Sequence, residues 1–254
     1  MTDPLKIEVT QVPLDAILSL RDEYRRAMNC QIVHDSYHAR GFTHSYLLRM
    51  QGHVVGYGSV AGEPRGPKEI IKELYVLPAY RAAALTLLRG LIAASRARWI
   101  EAQTNDALLT LMLFDCAVDL VSDRILFADG CTTNHEPPGV ILRPVTDRDR
   151  ASIFPHTTEP VGEWGLELGG EVVATGGLMS HYNPPYGDLF MEVAAPYRRR
   201  GYGSYLVQEL KRLCYEMGCV PAARCDKDNV PSRLTLQRAG MLPCAHIVRG
   251  RIVA

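Results

Sequence analysis

The sequence predicts two mixed α/β domains in one chain, each a central β-sheet flanked by helices. Three observations lead there. Short apolar and β-branched runs alternate with longer stretches of helical period along the whole chain. The run HVVGYGSV (His53–Val60) resembles EVVATGGL (Glu171–Leu178), and YVLPAYR (Tyr75–Arg81) resembles EVAAPYR (Glu192–Arg198) at nearly the same separation, as a duplication requires. A length of 254 residues suits two domains of ordinary size or one large one.

In the first half a strand is expected at 6–9 and a helix over 14–28. Strands follow at 45–50, 54–60 and 72–76, where β-branched and aromatic residues cluster between glycine-bearing turns. A helix over 82–98, a strand at 99–104, a helix over 107–116 and a strand at 124–127 complete that half. The stretch GCTTNHEPPG is polar and carries paired prolines, so 131–139 reads as a linker between a first domain, 1–130, and a second, 140–254. In the second half strands are expected at 140–143, 164–168, 172–179 and 188–194. A helix over 202–217, a strand at 221–225, a helix over 231–239 and a strand at 245–252 follow. The gap between the first two strands holds a full helix in the first half. In the second it is short and carries two prolines, so the second copy has lost most of a helical insert.

Composition narrows the function. Hydrophobic residues are 47% and charged residues 22%, and the net charge is zero, which gives no footing for nucleic acid or an anionic membrane. The seven cysteines include no C-x-x-C pair, so a structural zinc site is not expected and reduced thiols in the cytoplasm are. The N-terminus lacks a signal-peptide pattern, and the longest apolar windows are too short to span a bilayer. His34 and His38 are spaced four apart without a third ligand. Nothing separates a monomer from a homodimer.

The strongest signal is APYRRRGYGSYLVQELKRLCYEMG. Leu206, Leu210, Leu213 and Met217 recur with helical period, so an amphipathic helix follows the glycines. Gly201 and Gly203 permit unusual dihedrals and close approach of an anion to the free amides of the first turn. Arg198, Arg199 and Arg200 add positive charge. A nucleoside-triphosphate loop would end in G-K-[ST], and a dinucleotide fingerprint would need a third glycine where Leu206 stands; neither is present. The pattern [RQ]-x-x-G-x-[GA], between a strand and a helix, is matched in full by Arg198, Gly201 and Gly203.

With that loop, and with Asn229, Ser232 and Ala239-Gly240-Met241 following in order, the stretch from Val140 to Ile252 resembles the GNAT superfamily of N-acetyltransferases. The resemblance implies that the backbone amides of Arg199, Arg200, Gly201, Tyr202, Gly203 and Ser204 hold the pyrophosphate of acetyl-CoA. It also implies a strand end, Val193, Ala194 and Ala195, that splays from its neighbour and pairs with the pantetheine arm, with Asn229 and Ser232 completing the cofactor site. No metal is implied. The implied reaction is direct acyl transfer to an amine of a small molecule or peptide. The sequence departs from the family pattern in having Pro196 two residues before Arg198, and Leu236 where many members carry a tyrosine that protonates the leaving thiolate. A catalytically weak CoA-binding or interaction protein is the alternative.

An ammonium acceptor must lose a proton before it attacks. Glu192 and Asp188, four apart on one strand, share a face and are the candidate proton acceptors, Glu192 first; a salt-bridged strand carboxylate is the plain alternative. An amide of Val193 or Ala194 would meet the oxyanion. His181, Tyr182 and Tyr186 lie in a proline-rich hairpin turn, and Cys225 reads as a buried structural thiol. The first half resembles the same fold in degraded form. Ala84 and Thr86 stand where the loop needs glycine, and Asn105 follows the next strand, so no CoA site is expected there.

Overall fold

The computed structural model describes residues 6–28, 31–32, 35–180 and 183–253. His34, His181 and Tyr182 therefore lie outside the described residues. In chain order the elements are β1 (Ile7–Val12), α1 (Leu18–Ala27), α2 (Asp35–Ala39), β2 (Thr43–Met50), β3 (His53–Gly62), β4 (Lys68–Val76), α3 (Ala84–Ser95), β5 (Trp99–Gln103), α4 (Ala107–Cys116) and β6 (Ala117–Asp129). They continue with β7 (Val140–Pro144), α5 (Asp147–Arg150), β8 (Trp164–Leu168), β9 (Glu171–Met179), β10 (Tyr186–Val193), α6 (Tyr202–Glu216), β11 (Val220–Asp226), α7 (Val230–Arg238) and β12 (Met241–Ile252).

The chain forms two compact units, Met1–Asp123 with His246–Ala254, and Arg124–Ala245. The change of unit thus falls within β6, and the last nine residues belong to the first unit rather than the second. The stretch 131–139 does not bridge units: it lies in the second unit, tied to α6. There Lys211 Nζ donates to the carbonyl of Cys131 at 2.6 Å and to that of Ala239 at 3.1 Å, and Gln208 accepts from Thr133 Oγ1 and the His135 amide. A polar, proline-bearing run looks the same in sequence whether it links domains or lies along a helix.

In the first unit the sheet order is β1-β2-β3-β4-β5-β12, antiparallel except for β4 and β5. In the second it is β6-β11-β10-β9-β8-β7, antiparallel except for β10 and β11. The register carries the duplication. Leu47 faces Tyr57 and Tyr57 faces Tyr75 in the first unit; Gly165 faces Thr175 and Thr175 faces Glu192 at the matching positions of the second.

Each sheet packs one face on its long helix. Leu87, Leu88 and Leu91 of α3 fill the first core, and Leu206, Val207, Leu210 and Cys214 of α6 the second. The buried stripe of α6 is therefore centred one position round from the expected one, with Met217 past the helix end and exposed. The helix expected to reach Arg98 stops at Ser95, because Arg96 takes the left-handed conformation at its C-cap. The strands expected at 124–127 and 245–252 run longer, as β6 and β12, and the short helices α2 and α5 were not legible.

The opposite faces differ. In the first unit α1 and the 3-10 turn before it cover the sheet with Ile17, Leu20 and Tyr24 against Leu47, Tyr57 and Tyr75. Beneath it Glu73 of β4 is wholly buried, with Arg21 Nη2 at 3.1 Å, Tyr57 Oη at 3.1 Å and His38 Nε2 at 3.2 Å. Burial alone would push the Glu73 carboxyl up, but His38 and Arg21 outweigh it and hold the group far below the usual range. In the second unit the loop 151–163 crosses the matching face, its Thr157–Glu159 amides on Glu192.

Replacing Arg21 by Met leaves a buried carboxylate without its main partner. Its expected cost is about 3–5 kcal/mol, read as a lower midpoint in urea denaturation. Since folding lowers the Glu73 pKa, its contribution to stability is complete above the ordinary carboxylate range and falls away as pH drops below it. Denaturation followed at a series of acid pH values should show that loss in the wild type and not in Glu73→Gln.

Candidate functional site

The site begins where two strands part. The parallel pairing of β10 with β11 is limited to Tyr186↔Val220, Gly187↔Pro221 and Asp188↔Ala222, yet β10 runs on to Val193 and β11 to Asp226. Past Asp188 the β11-facing edge of β10 is open. On the other edge the Ala194 amide donates to the Val173 carbonyl at 2.9 Å. Antiparallel pairing alternates, so the amides of Val193, Met191 and Leu189 point into the opening. The oxyanion donor expected at Val193 or Ala194 is thus narrowed to Val193, because the Ala194 N–H is spent on β9.

The loop after β10 has the backbone an anion needs. Residues Ala195–Tyr197 make one 3-10 turn, Arg198 is extended, and Arg199 and Gly201 take positive φ of 63° and 88° before α6 starts at Tyr202. A left-handed arginine is uncommon and costs about 1–2 kcal/mol, which marks the loop as a place where conformation serves a purpose. Gly201 carries no side chain to cap α6. The side chains of Tyr202 and Ser204 are buried, so these residues offer the opening their amides, at the positive end of a 15-residue helix.

The two glycines do different work. Gly201 supplies the left-handed φ, with open space around a would-be Cβ. Gly203 has ordinary φ; a Cβ there would come within 3.1 Å of Thr235 and 3.4 Å of Val193, so it lets α6 close on α7 and β10. The anion-approach role expected of both falls to Gly201. Arg198 turns back to the strand, its Nε donating to the Val193 carbonyl at 3.0 Å, while Arg200 lies over the Tyr197 ring. Arg199 and Arg200 are exposed. Asn229 caps α7 by accepting from the Ser232 amide at 3.1 Å, so this pair shapes the helix start beside the opening. Leu236 is buried in the core, and Cys225 is a buried thiol whose pKa is raised by desolvation.

Asp188, Phe190 and Glu192 alternate onto the face of β10 that the loop crosses, with Thr175 and Gly177 of β9 beside them. Glu192 grips that loop. Its carboxylate accepts the amides of Thr157 (3.1 Å), Thr158 (3.0 Å) and Glu159 (3.0 Å) and the Thr157 hydroxyl (3.0 Å), with an Arg198 guanidinium nitrogen 3.8 Å away. Burial opposes ionisation, but these donors prevail and the pKa is lowered. Its acceptor sites filled, this carboxylate is a poor proton acceptor; the role expected of it does not suit its surroundings.

Two more contacts seat the loop. His156 donates from Nδ1 to the Phe154 carbonyl at 3.0 Å, so its Nε2 accepts the Thr175 hydroxyl at 2.7 Å. Gly162 passes so close to β9 that a Cβ would stand 2.0 Å from the Gly176 carbonyl oxygen. Glu159, half-buried, then lies among Asp188 and Glu192 of β10, Arg224 of β11 and Arg124 of β6; burial, followed by Asp188, raises its pKa. Sequence reasoning missed Thr157, Thr158 and Glu159. The signal available was a polar HTTE run between two prolines, ahead of a glycine.

The first unit has the same strand geometry without the opening's chemistry. β4 and β5 pair only at Ile70↔Trp99 and Ile71↔Ile100. Tyr24 Oη donates to Asp106 at 2.8 Å and Gln103 binds the backbone of Ile32, and these side chains, with Lys72 and Glu101, line a small pocket where the strands part. Residues 78–83 wind as a 3-10 helix into α3, the Ala84 amide donates to the Arg81 carbonyl, and no residue of that loop has positive φ. Its amides are thus used within the helix, a firmer obstacle than the expected crowding by Ala84 and Thr86. Arg81 Nε reaches the Val76 carbonyl as Arg198 reaches that of Val193. The helix cap is Asp106, which accepts the Leu109 amide; Asn105, expected in that place, donates to Gln31. His38 is engaged with Glu73 and Thr43, and among the described residues no three His, Cys, Asp or Glu are grouped to hold a metal. No described helix is long and apolar enough to cross a membrane.

The second unit is thus a mixed sheet split at a parallel strand pair, with a helix N-terminus beside the split. Residues 133–241 match the model of the acetyltransferase (GNAT) family. Solved structures share the fold over nearly the whole chain. An acetyltransferase from the GNAT family of Colwellia psychrerythraea has a TM-score of 0.75 at 14% identity, covering 98% of this chain and 100% of its own. A tandem GNAT protein from the clavulanic acid biosynthesis pathway has 0.61 at 13%, covering 98% and 99%. A GCN5-related N-acetyltransferase from Sphaerobacter thermophilus has 0.59 at 16%, covering 98% and 96%. A search of curated proteins finds no match. Residues 133–241 thus match the GNAT acetyltransferase family, and the chain as a whole shares its fold with solved GNAT structures, a tandem one among them.

Replacing Glu192 by Ala should free the loop while leaving the sheet intact. Amide hydrogen exchange at Thr157–Glu159 is expected to quicken by about 10–100-fold, the equivalent of losing about 1–3 kcal/mol of local hydrogen bonding. Mass-spectrometric exchange on the full chain measures it.

Proposed function

We propose that this protein transfers an acyl group, acetyl in the simplest case, from coenzyme A to an amine of a small molecule or peptide. The acceptor attacks directly in a ternary complex, and the second unit alone holds the cofactor. The observation that carries this is the left-handed turn at Arg199 and Gly201, which presents the amides of residues 199–204 beside the open edge of β10. The pyrophosphate would rest on those amides and the exposed Arg199 and Arg200. The pantetheine arm would pair with the backbone of Val193 to Ala195 and run past the α7 start fixed by Asn229 and Ser232. Its thioester would then lie near the Val193 amide, which receives the developing oxyanion. Asp188 and the loop bound to Glu192 form the acceptor side.

One observation favours a second reading, a CoA-binding protein with weak or no catalysis: Leu236 is packed in the core at the position of the usual thiolate-protonating tyrosine. Release of free CoA from acetyl-CoA with a panel of amines separates the two, since only a transferase shows amine-dependent release.

Calorimetric titration should find one acetyl-CoA per chain. Gly201→Val, which forces a β-branched residue into the left-handed region, should lower affinity at least about tenfold. The double change Ala84→Gly and Thr86→Gly should add no second site, because the first-unit amides remain in helical hydrogen bonds.

A further inference from the structure

Resting on the acyl-transfer reading above, we propose that Glu159 is the proton acceptor for the amine, and that Glu192 is the positioning residue that holds it at the opening between β10 and β11. Neither role follows from sequence position, since Glu159 lies in a loop with no regular structure. The loop is nevertheless fixed. Three successive amides, of Thr157, Thr158 and Glu159 itself, end on the Glu192 carboxylate, and the Glu159 amide is 3.0 Å from Oε2. The side chain that follows is thereby held at one place on the β10 face.

The competing groups on this face are already occupied. Glu192 has its acceptor sites filled, as described. His156 uses both ring nitrogens, on the Phe154 carbonyl and the Thr175 hydroxyl. Asp188 is buried at the last paired rung of β10 and β11, behind the point where the strands separate. Glu159 is half-exposed, and among the described residues its carboxylate accepts no hydrogen bond, so an incoming ammonium can reach it. The charges facing it are Asp188 and Glu192 from β10, Arg224 from β11 and Arg124 from β6. Partial burial and the two carboxylates outweigh the two arginines and raise its pKa, which makes it a stronger base than an ordinary surface glutamate.

The step is as follows. The acceptor ammonium gives one N–H proton to the Glu159 carboxylate. The freed lone pair forms a C–N bond at the thioester carbonyl carbon, and the C=O π pair moves onto oxygen, opposite the Val193 amide. The carbonyl re-forms as the C–S bond breaks, and the thiolate takes the second proton from the nitrogen. Amide and CoA thiol leave, and Glu159 returns its proton to solvent.

The test uses the full chain with acetyl-CoA and a panel of primary amines comprising an amino acid, an amino sugar, a polyamine and a peptide α-amine. In Glu159→Gln, kcat is expected to fall by about 10²–10⁴-fold, the acid limb of the kcat/KM profile to vanish, and acetyl-CoA affinity to stay within about twofold by calorimetry, a measurement that also shows the variant is folded. Glu159→Asp should keep an acid limb. Glu192→Gln should lower kcat by roughly tenfold yet retain the limb, displaced in pH, because the base is still present but no longer held. A Glu159→Gln enzyme with near wild-type kcat and an intact limb would overturn the assignment while leaving the transferase reading in place. Wild-type protein that binds acetyl-CoA but acylates none of the amines would overturn both.

Discussion

The short parallel pairing of β10 and β11 is the constraint on which the site depends. Parallel strands joined through a crossover helix have no turn to keep them together along their length, and here they part after three rungs, the last of them Asp188↔Ala222. Parting leaves amides of β10 without a strand partner. Unmet buried backbone donors are costly, so such an edge is kept only if water or a ligand can reach it. The crossover helix α6 starts beside that edge and brings a second set of donors to the same place. Both sets suit the occupant of the proposed function, an elongated molecule with an anionic end and hydrogen-bonding groups along its length.

The two units answer the same problem in opposite ways. Both sheets split at a parallel pair, but the first ties the side chains at its split to one another and to the backbone, Tyr24 to Asp106 and Gln103 to Ile32, and covers the sheet with α1 over the Arg21–Glu73 pair. The second has instead a loop anchored on Glu192, on Thr175 and by the close pass of Gly162. The difference lies in a helix in one unit and a loop in the other, not in a change of fold.

Much of this was legible in sequence because it rests on local rules. The repeat, the long helices and the glycine turn at Gly201 follow from periodicity and backbone sterics within a few residues, and the register of β3–β4 and β9–β10 matches the alignment of the repeats. What escaped depends on pairs distant in the chain. That Glu192 would meet Thr157–Glu159, that Gly203 faces Thr235, and that the Ala194 amide is consumed by Val173 are consequences of packing. Glu192 and Glu159 are both glutamates in polar surroundings; only the count of donors on each carboxylate tells an anchor from a base. The 131–139 stretch was misjudged for a similar reason, since its ties to Lys211 and Gln208 lie far along the chain.

The return of the last nine residues to the first unit bears on how the chain is made. His246–Ile252 of β12 supplies the strand that flanks β5, so the first unit lacks an edge partner until those residues have emerged from the ribosome. Vectorial synthesis usually lets the leading domain fold first. Here the leading unit is the one that must wait, since residues 124–245 are made before the strand that completes it. The second unit can therefore mature ahead of the first, and the long-range β5–β12 pairing, which topology makes slow, closes after it.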